Sequence, residues 1–344
     1  NLFSQALVVI DGSKFKAVNN RDRNFTRAKM KRRLAQIEAS LDRYFDQLEQ
    51  ADQEESSVAE VKTGNLRDKI ATLKEEMARL KTIEVQMQAA PDKQVSLTDP
   101  DARAMKSRGN GIVGYNVQTA VDAEHHLIVA HEVTNKGSDR NQLSPMAKQA
   151  GEAMDTKDLT VIADAGYFKN KEILSCHKAG ITANVPKVDT SGKQAKGMFR
   201  RQDFRYIADR DEYRCPAGER LIWRMTSEEN GLTLHRYWSS NCRTCSLKSQ
   251  CTTSKERRVT RWEHETILEA MQDRLDCDPE IMRIRRQTVE HPYGTLKLWM
   301  GSAHFLTRTL NRVSTEMSLH VLAYNLKRVM NILGVKPLMQ AIQA

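Results

Sequence analysis

The 344-residue chain has no stretch of 18 uncharged apolar residues, which excludes a membrane-spanning helix. It opens without a basic-then-apolar leader: Asn1 runs almost directly into the apolar "ALVVI" of Ala6–Ile10, and this abrupt start predicts a further segment upstream in the complete gene product. No internal repeat and no low-complexity tract interrupts it. Cysteine is scarce, with six residues, too few for a disulfide scaffold, and four of the six fall between Cys215 and Cys251; a reducing, cytoplasmic setting is expected. Acidic side chains are outnumbered, 44 against 54 Lys and Arg, and the net charge of +10 favours a polyanionic partner without separating DNA from RNA or acidic lipid. What is present, 40% hydrophobic and 28% charged residues, suits a folded soluble protein with one large core or a core carrying inserted modules.

Two segments share one device. "ALVVIDGSKFK" places Asp11 after Leu7, Val8, Val9 and Ile10, and "TVIADAGYFKNK" places Asp164 after Thr160, Val161, Ile162 and Ala163. Each reads as a buried strand ending in a carboxylate. From Asp11 to Arg33 there are nine basic residues and two acidic ones. Such a run is either a solvated face or, beside a carboxylate site, a surface for nucleic acid.

Residues 25–48 read as a helix, with Met30, Leu34, Ile37, Leu41 and Leu48 on one face. A second helix carries Leu66, Ile70, Leu73, Met77, Leu80, Ile83 and Met87. The short acidic link between them favours an antiparallel hairpin of roughly 35 Å over an intermolecular coiled coil. After "AAPDKQ" the texture changes to strands. "NGIVGYNVQTAVD" and "HLIVAHEVTN" predict a β-hairpin, Pro145 stands near a helix start, the Asp164 strand follows, then a helix ended by Gly180 and the short strand "ITANVP". The expected organisation is a mixed α/β sheet whose first part is 1–24 and 92–190, with an inserted hairpin at 25–91. A polar, Cys-rich insertion at 191–262 and a helical part at 263–344 complete it. In the last part, Leu319, Leu322, Leu326 and Met330 form an apolar stripe expected to face inward.

Asp11 and Asp164 stand at carboxyl ends of strands expected to be neighbours, where ligands gather in α/β proteins. Two such acids repel unless they share a proton or a cation. A third candidate is Glu290, in "IRRQTVEHPYGTLK", expected to be carried inward by Ile284 and Val289 while the arginines face outward. Oxygen-only ligands without a histidine cluster favour Mg²⁺ or Mn²⁺ over zinc. Two such ions about 3.5 to 4 Å apart suit phosphodiester chemistry. The blander alternative is that each aspartate forms a turn or caps a helix.

"VVIDGSK", "VIADAGY" and "RRQTVEHPYGTLK" resemble the three catalytic blocks of DDE transposases encoded by bacterial insertion sequences. The similarity runs along essentially the whole chain. In the third block Arg286, Glu290 and Lys297 meet the Tyr-Arg-Glu-Lys spacing found in many members, but Arg283 stands at the tyrosine position. The resemblance implies an RNase H-like fold and an enzyme that cuts transposon ends and joins the 3′-hydroxyls to target DNA. Asp11, Asp164 and Glu290 would be the metal ligands, and Arg286 and Lys297 would hold phosphates. It also implies recognition of terminal inverted repeats by an upstream helical domain, homo-oligomers on DNA and association with the nucleoid. The basic run starting at Lys14 and the Arg283, Arg285, Arg286 cluster are expected to bridge DNA backbone across the carboxylates. Rival classes are a nuclease without strand transfer and a DNA-binding protein that has lost catalysis.

Cys242 and Cys245 have the spacing of a zinc knuckle, which Cys215 and Cys251 would complete. Reduced non-ligating thiols, or His235 replacing one cysteine, are the alternatives. Cys176 and Cys277 read as packing residues. Asp99, in "SLTDPDARAM", either caps a turn before Pro100 or adds a fourth carboxylate. Each of Trp223, Trp238, Trp262 and Trp299 reads as a core or interface residue, with stacking on a flipped base as the alternative.

Overall fold

A computed structural model describes residues 6–52, 57–106, 111–187 and 192–343. They form two compact units: the chain up to Ile10 with Arg140–Gln287, and Asp11–Asp139 with Thr288 onward. The division falls inside the first strand, β1 (Leu7–Lys16), and inside a helix at Ile281–Gly294.

In the unit that starts at Asp11, β2 (Asn24–Thr26) and β3 (Gln94–Ser96) pair antiparallel and bracket two long helices, α1 (Arg27–Asp52) and α2 (Ser57–Ala89). Their apolar stripes bury one another, with Met30, Ile37 and Leu41 packed with Ile70, Leu80 and Ile83. Arg33 pairs with Glu76 and Lys69 lies over the Tyr44 ring, so positions rising along α1 meet positions falling along α2, and the helices run antiparallel. At 1.5 Å per residue they reach about 39 and about 50 Å, longer than the stripes suggested, because both continue through polar sequence on either side of 53–56.

The same unit holds β4 (Arg103–Lys106), β5 (Gly111–Asp122) and β6 (Ile128–Thr134), with β4 and β6 antiparallel to β5. The hairpin expected from the alternating sequence is present, closed by His126 at φ 57°. β5 also lies against the second half of β1: a Cβ on Gly114 would fall 1.9 Å from the Phe15 carbonyl oxygen, so only glycine permits this approach.

In the other unit, the first half of β1 pairs in parallel with β7 (Thr160–Ala163), which pairs in parallel with β8 (Thr182–Asn184). The register sets Leu7 against Thr160 and Ile10 against Ala163. Val8, Val9, Ile10, Val161, Ile162 and Ala163 are all buried, which explains the unbroken apolar runs. Each large aliphatic side chain buried this way contributes about 1.5 to 3 kcal/mol. Helices α3 (Leu143–Met154) and α4 (Asn170–Lys178) meet through the Ser144 and Ser175 hydroxyls.

The polar segment after residue 191 is more ordered than its composition suggests. β9 (Arg205–Ile207), β10 (Glu212–Arg214), β11 (Arg220–Glu229) and β12 (Leu232–Trp238) form an antiparallel sheet. After the one-turn helix α5 (Lys248–Cys251), β13 (Val259–Trp262) completes it beside β12. Phe204, Tyr213, Leu221, Tyr237 and Val259 make a small core. The β11–β12 turn has Asn230 and Gly231 at φ 54° and 69°, the left-handed pair of a tight hairpin. Helices α6 (Glu265–Cys277) and α7 (Ile281–Gly294) follow.

The chain then makes a π-helical turn at Thr295–Trp299 and ends in α8 (Leu310–Leu333) and α9 (Val335–Gln343), within the unit that starts at Asp11. The inward face of α8 is Val313, Met317, Val321 and Tyr324, packed with Phe15, Tyr115 and Phe305. Leu319 and Leu322 are each 63% exposed and Leu326 and Met330 are also exposed, so the expected inward stripe is the outward one. Both faces of α8 carry apolar residues, and periodicity alone does not choose between them. No described helix is long and apolar enough to cross a membrane.

Candidate catalytic carboxylates

Asp11 lies inside β1, one residue past Ile10, the last residue paired with β7; the strand runs on to Lys16 beside β5, which corrects the expectation of a strand ending in this carboxylate, and Asp11 Oδ1 accepts the Gly12 N–H at 2.9 Å. The fully buried Tyr293 hydroxyl, on α7, shares its proton between the Asp11 and Val117 carbonyl oxygens, each at 2.9 Å, and accepts from Thr119 Oγ1 at 3.1 Å. Burial, then the negative charges of Asp11 and Asp139, hold the phenol well above its usual pKa, so it stays a donor. This network ties the end of α7 to β1 at Asp11. Glu290 lies three residues before Tyr293 on that helix and is exposed, while its neighbour Val289 is buried.

Lys297, in the π-helical turn, is directed inward: Nζ donates to Ser13 Oγ at 2.6 Å and to the Lys14 carbonyl at 2.9 Å, and lies 4.4 Å from the centre of the Phe15 ring. Burial, and then Lys14, lower its pKa, with Asp11 opposing. Lys14 in turn pairs with Asp139 at 3.4 Å, and the other Asp139 oxygen accepts from Asn116 at 2.7 Å and Gln118 at 2.8 Å. Asp139 escapes sequence reading because nothing in "NKGSDRNQ" signals that Lys14, Asn116 and Gln118 converge on it.

Asp164 follows Ala163, the residue paired with Ile10. Its Oδ1 accepts the Gly166 N–H at 2.8 Å, starting a 3₁₀ turn at Ala165–Tyr167. Its Oδ2 faces Arg285 Nη2 at 3.4 Å, and the side chain is 43% exposed. Arg285 is mostly buried here, so it does not share the outward orientation expected for the arginines of that helix. Arg283 is exposed and paired with Glu280, and Arg286 is exposed.

Other candidates separate clearly. Asp99 is fully buried, accepting from the Tyr115 hydroxyl at 2.8 and 2.9 Å and from the Thr309 N–H at 3.1 Å, while Asp101 accepts the Leu310 N–H at 2.8 Å. The pair caps the start of α8. Cys176 is buried as expected, whereas Cys277, last in α6, is exposed and not a packing residue. Trp262 is in the core, but Trp223 at 51% and Trp299 at 83% exposure are surface residues. His235 bonds Thr226 Oγ1 through Nδ1 at 2.9 Å, and it does not line the pocket of Cys215, Cys242, Cys245 and Cys251. Burial, then the three other thiols, push the Cys251 thiol up to about 11.

Among the described residues no three His, Cys, Asp or Glu side chains are drawn together into a metal-holding group. Asp11, Asp164 and Glu290 offer carboxylate oxygens only, the hard donors that Mg²⁺ and Mn²⁺ take, so the donor chemistry fits a divalent ion.

No curated protein sequence matches the chain. A cryo-EM structure of the piggyBac transposase synaptic complex with hairpin DNA is similar at 7% identity and a TM-score of 0.23, over 70% of this chain. The alignment spans about half of that protein, 53% of its length. The family model described as "Transposase DDE domain" matches residues 83–326, more than half of the chain, and takes in Asp164 and Glu290 but not Asp11. The chain therefore belongs to the transposase DDE domain family.

Proposed function

We propose that the chain is a metal-dependent DNA transposase of the insertion-sequence type, with an RNase H-like core in which Asp11, Asp164 and Glu290 hold Mg²⁺ or Mn²⁺. The observation that carries this reading is the register of β1 on β7, in which Ile10 pairs with Ala163 and each strand continues into an aspartate. The family match over Asp164 and Glu290 supports it. When bound, the divalent ions would activate the attacking oxygen and stabilise the leaving one.

The chain's own groups perform the positioning. Tyr293 fixes the end of α7 to the Asp11 backbone, which sets where Glu290 stands. Lys297 braces Ser13 and Lys14 just beyond Asp11, so its first role is to hold β1 there, and its charge remains available to a nearby phosphate. Lys14, Arg283 and Arg286 are proposed to contact the backbone of terminal inverted repeats and target DNA, within a homo-oligomer in the bacterial cytoplasm.

The test is cleavage and joining of a labelled duplex carrying the element's terminal repeats, with Mg²⁺ and any upstream segment supplied. Asp11→Asn, Asp164→Asn and Glu290→Gln are each expected to lose both steps by more than about 100-fold, beyond the effect of a residue that only supports a ligand. DNA binding should be kept. Cleavage without joining would indicate a nuclease, binding without cleavage a DNA-binding protein, and parental rates in Asp164→Asn would refute the assignment.

A further inference from the structure

Four cysteines from three separate segments, Cys215, Cys242, Cys245 and Cys251, line one small cavity of about 30 Å³ beside the core of the five-stranded sheet. Cys215 ends β10's excursion in a tight turn, with its N–H donating to the Glu219 carbonyl at 3.1 Å and its carbonyl accepting from the Gly218 N–H at 2.8 Å. Gly218 has φ 79°, the conformation that lets the turn present the thiol instead of a flanking side chain. Cys242 lies in the 3₁₀ turn Ser240–Arg243, Cys245 is three residues on, and Cys251 closes α5. Each thiol is half-buried and none is in a disulfide. The Cys251 sulfur lies within electrostatic reach of all three others.

The rest of the described wall mixes apolar residues, including Phe199, Phe204 and Leu221, with Ser239, Asn241 and Thr252, and its one carboxylate, Glu219, accepts from Asn241 Nδ2 at 3.0 Å. The four thiols are therefore the soft donors of the site. Lys248 and Arg257 also line the cavity. A zinc ion with four thiolates carries net negative charge, and these two cations would offset it.

We propose that this pocket is a structural zinc site, with Cys215, Cys242, Cys245 and Cys251 as its four ligands. The thiols stand around the cavity wall without converging on one point, so ion binding draws them inward by side-chain rotation. Each thiol gives its proton to solvent as it ligates, and no oxidation or reduction is involved. The site ties the Cys215 turn of the sheet to the 242–251 segment that links β12 to β13. Its stabilising effect rests on that cross-link, because the local core is only a handful of side chains. It is independent of the catalytic carboxylates, and its test does not read DNA cleavage.

Elemental analysis of the purified chain should find about one zinc per protein, and replacement by Co²⁺ should give the intense near-ultraviolet absorption of cobalt bound to thiolates. Zinc should be lost from Cys242→Ser/Cys245→Ser and kept in Cys277→Ser, whose exposed thiol lies outside the pocket. Should the double variant fail to fold, alkylation of the parental chain decides: the four thiols should be protected with zinc and become reactive with a chelator. A metal-free chain whose thiols react equally with and without zinc overturns the proposal. So does iron–sulfur absorption, or disulfide bonds among the four.

Discussion

The two aspartates that follow the β1–β7 pairing begin from similar local sequence and arrive in different surroundings. Around Asp11 the chain is fixed from several directions: Tyr293 holds its carbonyl, Lys297 braces the two residues beyond it, and Asp139 gathers Lys14, Asn116 and Gln118 nearby. Among the described residues, Asp164 accepts a backbone bond from Gly166 and has a long contact with Arg285, on a side chain that is 43% exposed. A shared strand device thus does not mean shared rigidity. Asp11 is placed by distant residues of its unit, whereas the placement of Asp164 is largely local. Perturbing supports of the first should therefore cost stability, and perturbing supports of the second should cost chemistry with little loss of stability.

The largest effect is expected at Tyr293. Tyr293→Phe keeps the ring and removes the hydroxyl, leaving the Asp11 and Val117 carbonyls and the Thr119 hydroxyl without that partner. Buried groups left this way cost about 1 to 3 kcal/mol. The melting temperature should fall, and cleavage should drop by about 10- to 100-fold, as for other groups that orient metal ligands. An unchanged melting temperature would show that the Asp11 end is not held as described.

The glycines beside the two aspartates give a more direct comparison. A Cβ at Gly12 would fall 2.4 Å from Gln118 Nε2 and 2.8 Å from Asp139 Oδ1. Gln118 is buried and bonded to Asp139, so it has little room to yield. Gly12→Ala should destabilise by about 1 to 3 kcal/mol. At Gly166 the added carbon would fall 2.9 Å from Asp164 Oδ1, and that carboxylate can rotate toward solvent. Gly166→Ala should therefore cost less than about 1 kcal/mol, yet reduce cleavage by re-aiming Asp164. Denaturant titration beside a cleavage assay separates the two; equal stability losses would remove the distinction between the aspartates.

What was legible in the sequence follows the same division between local and distant causes. The apolar runs before Asp11 and Asp164 could be read because both of their faces are buried, whereas the continuation of β1 past Asp11 to Lys16 could not, because its sequence turns polar there. The long helices could be read because their stripes keep helical spacing over many turns. The Cys-rich sheet was missed because charged residues interrupt the apolar positions of β10 and β11, although "ENG" at Glu229–Gly231 did carry a hairpin signal. The outward orientation of Leu319 and Leu322 could not be read from a helix with apolar residues on both faces. The roles of Tyr293 and Asp139 were invisible for a different reason: their partners lie far along the chain, and although Tyr293 falls inside the third block, nothing local signals its contact with Asp11.

The smallest expected effect concerns Arg285, which faces Asp164 at 3.4 Å. A half-exposed ion pair of this length contributes at most about 1 kcal/mol, so Arg285→Gln should leave the melting temperature nearly unchanged. Its sharper consequence is for metal. Arg285 supplies positive charge to the carboxylate that is proposed to hold a divalent ion, and the two cations compete for the same oxygens. Removing the guanidinium should lower the Mg²⁺ concentration for half-maximal cleavage by a factor of roughly two to five, the equivalent of a weak ion pair. Should Arg285 also touch DNA backbone, the salt slope of duplex binding would fall by about one unit in the same variant, a separate readout. A Mg²⁺ requirement that rises in Arg285→Gln would mean that the guanidinium helps assemble the metal site. The loosely held placement of Asp164 would then be the resting arrangement only.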